Sequence, residues 1–539
     1  MSAPLRSDEA RISTRPTDGS RGIVVSPHYL ASEAGIDVLN DGGNAVDAAI
    51  SVNAVLGVVL PDTCGPGGDL FALIHSPGEA APTALNASGR AGSGVTSDDM
   101  RDAGLGAIPI RSHWSITVPG CIDGWETLTM KHGTLTLSRL LAPAIRIARD
   151  GFPVSSELAF SFARLRELIT DQGSAAPFYP EGHPAVAGST IRRPRFGDTL
   201  EAIAEGGRNA FFDGPVGAAI VEATAGAVTD EDLAHRQAEW VTPLSKDVFG
   251  RSGWTTPPNS QGYLTLAALR IFEMLEPPDD PNDPAYQHLL IEAYRSVAWE
   301  RDDTAVDPDH RVPSGGEFVA EELVADDRLA ERSASINRDL SGRWPMPRPA
   351  PGGTAFMTVR DASGMGISLM QSNFSGIGSG KSAGSTGVFL HNRGAGFNLI
   401  PGHPNEFEAR KRPLHTLSPT LWTNGTSLDL LLGTRGGDRQ PQFLAQYGAS
   451  FYHAGNCSDD SQDLPRWSME QPSPGIDSAV KFESRAALSV IKGLADRGHT
   501  VELTGTHEAG WGPISAIDNG RETKGSADPR VSTSAALTT

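Results

Sequence analysis

The tightest constraint on this chain lies at residue 354, where the stretch "PRPAPGG" gives way to "TAFMTVRDASGMGISLMQS". Pro345, Pro347, Pro349 and Pro351 withhold backbone donors, and Gly352 and Gly353 leave the last peptide bond unshielded, so this segment cannot run as a sheet strand. From Thr354 onward the residues alternate. Ala355, Met357 and Val359 point to one face, and Thr354, Phe356 and Thr358 to the other. "DASG" at 361 to 364 has the Asp-first, Gly-last form of a type I turn. Pairing outward from that turn predicts Gln371 opposite Thr354, with the Ser372 hydroxyl beside it. Two readings follow from these residues alone. One is an ordinary proline-rich loop entering an edge strand. In the other, the Thr354 hydroxyl attacks the Gly353 carbonyl, moves the chain onto oxygen as an ester and loses it to water. That leaves a Thr354 amine with a pKa of about 8, able to take a proton from its own hydroxyl.

Elsewhere the pattern is mixed. Residues 1 to 21 are polar and expected to be flexible. "GIVVSPHYLASEAGIDVLNDGGNAVDAAISVNAVLGVVLP" predicts a short strand, a helix with Ala31, Ala34 and Val38 on one face and a stop at Gly42, then a second helix apolar enough to be buried. "CGPGGDLFALIH" predicts a glycine turn entering a strand, "LSRLLAPAIRIARDG" a helix, and "EPPDDPNDP" a solvated loop. Beyond Thr354, "GVFLHNR" and "LDLLLGTRGGD" predict further strands and glycine turns. The fold class expected is α+β, with sheets covered by helices.

The totals exclude several functions. With 45 Lys+Arg against 65 Asp+Glu the net charge is -20, which repels nucleic-acid phosphates and anionic membranes. The first residues contain no apolar core of a leader, and no stretch reaches the length of a membrane span, so a cytoplasmic protein is expected. Cys64, Cys121 and Cys457 are too far apart for a C-x-x-C site, and the histidines follow no metalloprotease spacing, so neither metal nor cofactor is expected. "GIGSGKS" has three residues between Gly376 and Gly380 where a phosphate-binding loop needs four.

The hairpin and its sequel, "TAFMTVRDASGMGISLMQSNFSGIGSGKSAGSTGVFLHNRGAGF", resemble the start of the small subunit of the γ-glutamyltransferase family, self-cleaving N-terminal-nucleophile hydrolases. "SGRA", "TVPGCIDGWETLTMKHGTLTLSRLLAPAIRIARDGFPV", "HLLIEAYRSVAWERDDTAVDPD", "RPLHTLSPT" and "GTRGGDR" follow the family's order as well. The resemblance implies a four-layer αββα sandwich, with 22–353 as a large subunit and 354–539 as a small catalytic subunit after cleavage between Gly353 and Thr354. It implies Thr354 as autoprocessing residue and nucleophile, Ser372 as a neighbouring hydroxyl, and Gly436 and Gly437 as the oxyanion-holding pair. It implies Arg90 as the grip on a substrate carboxylate, with His415 and Thr416 where the family often has two serines. The implied partners are a small-molecule amide and the two cleaved chains, in one processed pair or in an oligomer of such pairs.

One departure bears on the substrate. Where family transferases carry an acidic residue for the glutamyl ammonium, this chain reads "HNRGAGF", with Gly396 at that place and Arg393 nearby. An arginine without a carboxylate suits a cationic ammonium poorly. A γ-glutamyl amide such as glutathione is the family default; an oxamate-like or glutaryl-type acyl group is the alternative, unless Asp438 supplies the missing charge. An inactive scaffold acting as a binding protein is the reading of another class, and cleavage of the precursor separates it from the enzymes.

Overall fold

The computed structural model describes residues 22–169, 173–310, 319–344, 353–469, 479–520 and 523–539. Residues 1–21 and the proline-rich run 345–352, both subjects of the expectations above, lie outside that set. Two sheets dominate. In the first, seven strands run in the order Ala535–Thr538, Ile23–Ser26, Gly353–Arg360, Gly366–Phe374, Asp69–His75, Thr83–Ala87 and Glu239–Val241, with each neighbouring pair antiparallel. The second has six, in the order Lys524–Ala527, Ile514–Asp518, Ser427–Thr434, Thr420–Asn424, Arg251–Thr255 and Leu244–Val248. The strand that starts at the proposed cleavage point is thus central, paired on both sides, and not an edge.

Packing follows the side-chain alternation. Ala355, Met357 and Val359 join a core with the helices Ala45–Val59, Leu137–Asp150 and Pro194–Phe212. Ile23, Val25 and Leu73 of the first sheet meet Leu421, Leu428, Leu431 and Ile517 of the second, so the sheets lie face to face. Leu430 and Leu432 turn the other way, onto the helices Tyr263–Met274, Pro284–Ala298 and Gln440–Gly448. The helix Ala45–Val59 is buried along its whole length, as its small apolar sequence predicts; Asn44 and Asp47 close a capping box at its start. The preceding helix, Tyr29–Asn40, buries Ala31, Ala34 and Val38, and Gly42 follows with φ +89.

Two expectations are corrected. The hairpin turn is present, since Gly364 N–H donates to Asp361 O at 3.1 Å, but Asp361 N–H also donates to Met365 O at 3.0 Å. Gly364, at φ +95, is an extra left-handed residue that shifts the register by one, so Gln371 faces Ala355 and not Thr354. "GVFLHNR" is not a strand. Its backbone is satisfied by loops instead: Leu390 N–H donates to Lys381 O and His391 N–H to Gly67 O, both at 3.0 Å. The chain's first and last described strands pair, and Gly22 and Thr539 exchange hydrogen bonds, Gly22 N–H to Thr539 Oγ1 and Thr539 N–H to Gly22 O, each at 3.0 Å.

Candidate active site

Thr354 sits at the start of the central strand, 2% exposed. Opposite it the partner strand bulges: the register runs from Gln371–Ala355 to Phe374–Gly353, so Ser372 and Asn373 together face the one residue between. The bulge brings the Ser372 hydroxyl 3.5 Å from Thr354 Oγ1. Ser372 Oγ donates to the Gly353 carbonyl oxygen at 2.5 Å and accepts from Phe374 N–H at 2.8 Å. The polarised carbonyl is the one that cleavage would attack. The loop carrying "CGPGGD" wraps this bulge closely. A Cβ on Gly68 would lie 2.3 Å from the Ser372 carbonyl oxygen, and Asn373 N–H donates to Thr63 O at 2.9 Å.

Gly436 and Gly437 form a turn between the strand Ser427–Thr434 and the helix Gln440–Gly448. Gly436 has φ +137 and Gly437 φ +60, left-handed values that glycine adopts without strain. Neither backbone N–H has an acceptor among the described residues. Gln261 Nε2 donates both to Gly437 O and to Thr416 O, at 3.0 Å each, tying the turn to "LHTLSP". Gln440, buried at the first position of the helix, donates from Nε2 to Thr354 Oγ1 at 3.3 Å.

A charged cluster lies beside this group. Asp69, register partner of Ser372, accepts from Gly89 N–H at 2.8 Å and from His415 Nε2 at 3.1 Å, with His391 Nδ1 at 3.4 Å. Burial alone would push the Asp69 carboxyl up, but His391 and His415 hold it well below the usual carboxylate range. His415 is fully buried with both ring nitrogens engaged, because Leu417 N–H donates to Nδ1 at 3.2 Å; burial and then Arg393 push its imidazole down to about 3. Arg393 stacks 3.9 Å over the ring of Phe374, the register partner of Gly353, and donates from Nη1 to Thr416 Oγ1 at 3.2 Å. Its Nε is 3.9 Å from Asp69, and neither Nε nor Nη2 has a hydrogen-bond acceptor among the described residues. Burial pushes the guanidinium down to about 9.

The remaining predicted residues sit differently. Asp438 is 2.8 Å from Arg301, a buried cation that its carboxylate holds in charged form. Arg90 is partly exposed and faces Glu239 at 3.5 Å. Among the described residues, His288, Glu292 and His499 are close enough to share a metal ion, but His288 Nδ1 and His499 Nε2 already share a 2.7 Å hydrogen bond and Glu292 pairs with Arg295 at 3.2 Å. Asp69 and Gln440 escape sequence reading. The first looks like a turn residue after two glycines; the second sits three positions past Gly437, where a polar residue opening a buried helix is the available signal.

Comparison with known proteins fixes the lineage: residues 31–538 match the family described as Gamma-glutamyltranspeptidase. The chain belongs to that family. Its relatives include a glutathione hydrolase-like proenzyme of Bacillus subtilis (strain 168), 35% identical over 523 residues, which span 95% of this chain and 97% of the relative. An oxamate amidohydrolase proenzyme of Klebsiella pneumoniae is 32% identical over 530 residues, 96% of this chain and 98% of the relative. The crystal structure of a cephalosporin acylase from Bacillus halodurans superposes with a TM-score of 0.88 at 30% identity, covering 99% of this chain and 98% of the other. This Gamma-glutamyltranspeptidase family member is thus an enzyme of the hydrolase and transferase type, a proenzyme with the mixed α+β fold of the acylase.

Proposed function

We propose that the chain cuts itself between Gly353 and Thr354 and then hydrolyses a small amide whose acyl portion carries a carboxylate and no ammonium group. The scaffold in this reading is the four-layer αββα sandwich of N-terminal-nucleophile hydrolases, with 22–353 and 354–539 as its two subunits. The freed Thr354 amine takes the proton from Oγ1, which attacks the substrate carbonyl. The adjacent N–H groups of Gly436 and Gly437 receive the oxyanion, where one such donor is worth about 3 kcal/mol of barrier. The amine departs with a proton, leaving an ester on Thr354, and water then releases the acid.

The observation that carries the substrate class is Arg393, a buried guanidinium on the ring that pairs with the scissile glycine, whose Nη2 has no hydrogen-bond acceptor among the described residues and whose Nε has only the Asp69 carboxylate at 3.9 Å. Desolvating a cation without full compensation is costly, and a substrate carboxylate offsets that cost with paired, charge-assisted bonds. Thr416 orients the guanidinium from one side, and Asp69, held by His415, from the other. In this reading His415 supports the anion site through Asp69, while Arg90 contributes positive charge further out. The oxamate amidohydrolase relative agrees with a compact acid of this kind. A γ-glutamyl amide is the second reading: Asp438 follows Gly437, retains 17% side-chain exposure and would serve the ammonium if it were shared with Arg301.

A substrate panel on cleaved enzyme separates the two. Oxamate or a glutaryl amide is expected to turn over faster than γ-glutamyl-p-nitroanilide, and Arg393→Met should raise KM for the preferred acid about 10- to 100-fold, the worth of a charge-assisted pair. Comparable turnover of γ-glutamyl-p-nitroanilide, abolished in Asp438→Asn, would favour the glutamyl reading. Wild-type protein that stays a single full-length band after long incubation, and is inactive, would favour an idle scaffold.

A further inference from the structure

We infer that Gln440 is a catalytic residue, donating a hydrogen bond to the threonine oxygen as that oxygen leaves during release of the acyl group. The inference rests on the reading of Thr354 as nucleophile. Its basis is the orientation of one amide. Ser418 N–H donates to Gln440 Oε1 at 3.0 Å, and a backbone N–H can only donate. The oxygen end of the amide is therefore fixed on Ser418, and the nitrogen end must face Thr354 Oγ1, 3.3 Å away. Gln440 is fully buried, and these two bonds hold its amide at both ends. Ser372 occupies the other side of Oγ1.

Such a donor matters unequally in the two halves of the reaction. During acylation Oγ1 gives its proton to the Thr354 amine and spends its electron pair on the new C–O bond, so a donor on Oγ1 adds little. In the second half, water attacks the ester carbonyl and passes its proton to the amine. The intermediate then collapses by breaking the C–Oγ1 bond. The electron pair goes back to Oγ1, the proton follows from the ammonium, and the free acid leaves. Negative charge builds on Oγ1 at that moment, where an already placed N–H donor stabilises the transition state more than the ground state.

Loss of the donor should therefore slow deacylation selectively. Gln440→Leu is expected to lower kcat about 100-fold and to lower KM as acyl-enzyme accumulates, with a mass increment equal to the acyl group on the chain 354–539 at steady state. Gln440→Glu, nearly isosteric but without the N–H donor when ionised, serves if the leucine variant does not fold or cleave, and the same increment is expected. A kcat within twofold of wild type, or a fall in kcat without any acyl adduct, would overturn the inference. Thr354→Ala distinguishes this failure from a deeper one: if it keeps turnover, the nucleophile assignment itself is wrong, whatever the Gln440 variants do.

Discussion

His28, His415 and His499 are buried in three separate places, and burial pushes their imidazoles down to about 4, 3 and 3. In the unfolded chain each titrates near 6.5. Their contribution to stability is therefore full above that value and is lost as pH falls toward the folded-state values, because the unfolded chain takes up the protons first. Asp62, pushed up to about 6 by burial, works in the opposite sense over part of the range. Three protons against one leave a net of two, a loss on the order of a few kcal/mol per pH unit between pH 6 and 4 from these groups. Urea unfolding at pH 6, 5 and 4 should give falling midpoints, with a shallower fall in His415→Gln; equal midpoints would contradict the assignment of neutral, buried rings. None of this is legible from sequence, where His415 resembles a substituted serine. Thr354 and Ser372 are legible because their chemistry and their strand alternation coincide. Asp69 and Gln440 are not, because each reaches the Thr354 neighbourhood through contacts between segments hundreds or tens of positions apart.

At the scale of the element, the hairpin makes the site. A type I turn alone would pair Gln371 with Thr354; the additional left-handed Gly364 moves Gln371 to Ala355, and the bulge at Ser372 and Asn373 then aims the serine hydroxyl at Gly353 and Thr354. Turn composition predicts the hairpin but not the extra residue, which is why the predicted register is off by one while the predicted neighbour is right. Gly364→Ala should cost about 1–2 kcal/mol, since φ +95 is strained for any residue with a Cβ. It should also slow self-cleavage, followed as the rate of conversion from one band to two. Unchanged cleavage with the expected loss of stability would mean that register and chemistry are independent here. "GVFLHNR" makes the complementary case: an apolar, strand-like composition is overridden because its donors find acceptors in the glycine loop near Gly67 and in Lys381.

At the scale of the molecule, each sheet draws strands from both sides of residue 354. Gly353–Arg360 lies between Ile23–Ser26 and Gly366–Phe374, while Thr420–Asn424 pairs with Arg251–Thr255. A cut at the proposed bond therefore severs the backbone without separating two domains, and the mixed helix and strand composition that sequence reading finds on both sides of the cut reflects this interleaving. Gly22 and Thr539 meet at the far end of the same sheet, within hydrogen-bonding distance in both directions. The order of the gene can accordingly be rotated. A circular permutant that begins Met-Thr354, runs to Thr539, crosses a short linker to Gly22 and stops at Gly353 would expose the threonine amine by removal of the initiator methionine. Such a protein should be active as translated, with no maturation lag, and its activity should no longer depend on the peptide-bond chemistry of the precursor.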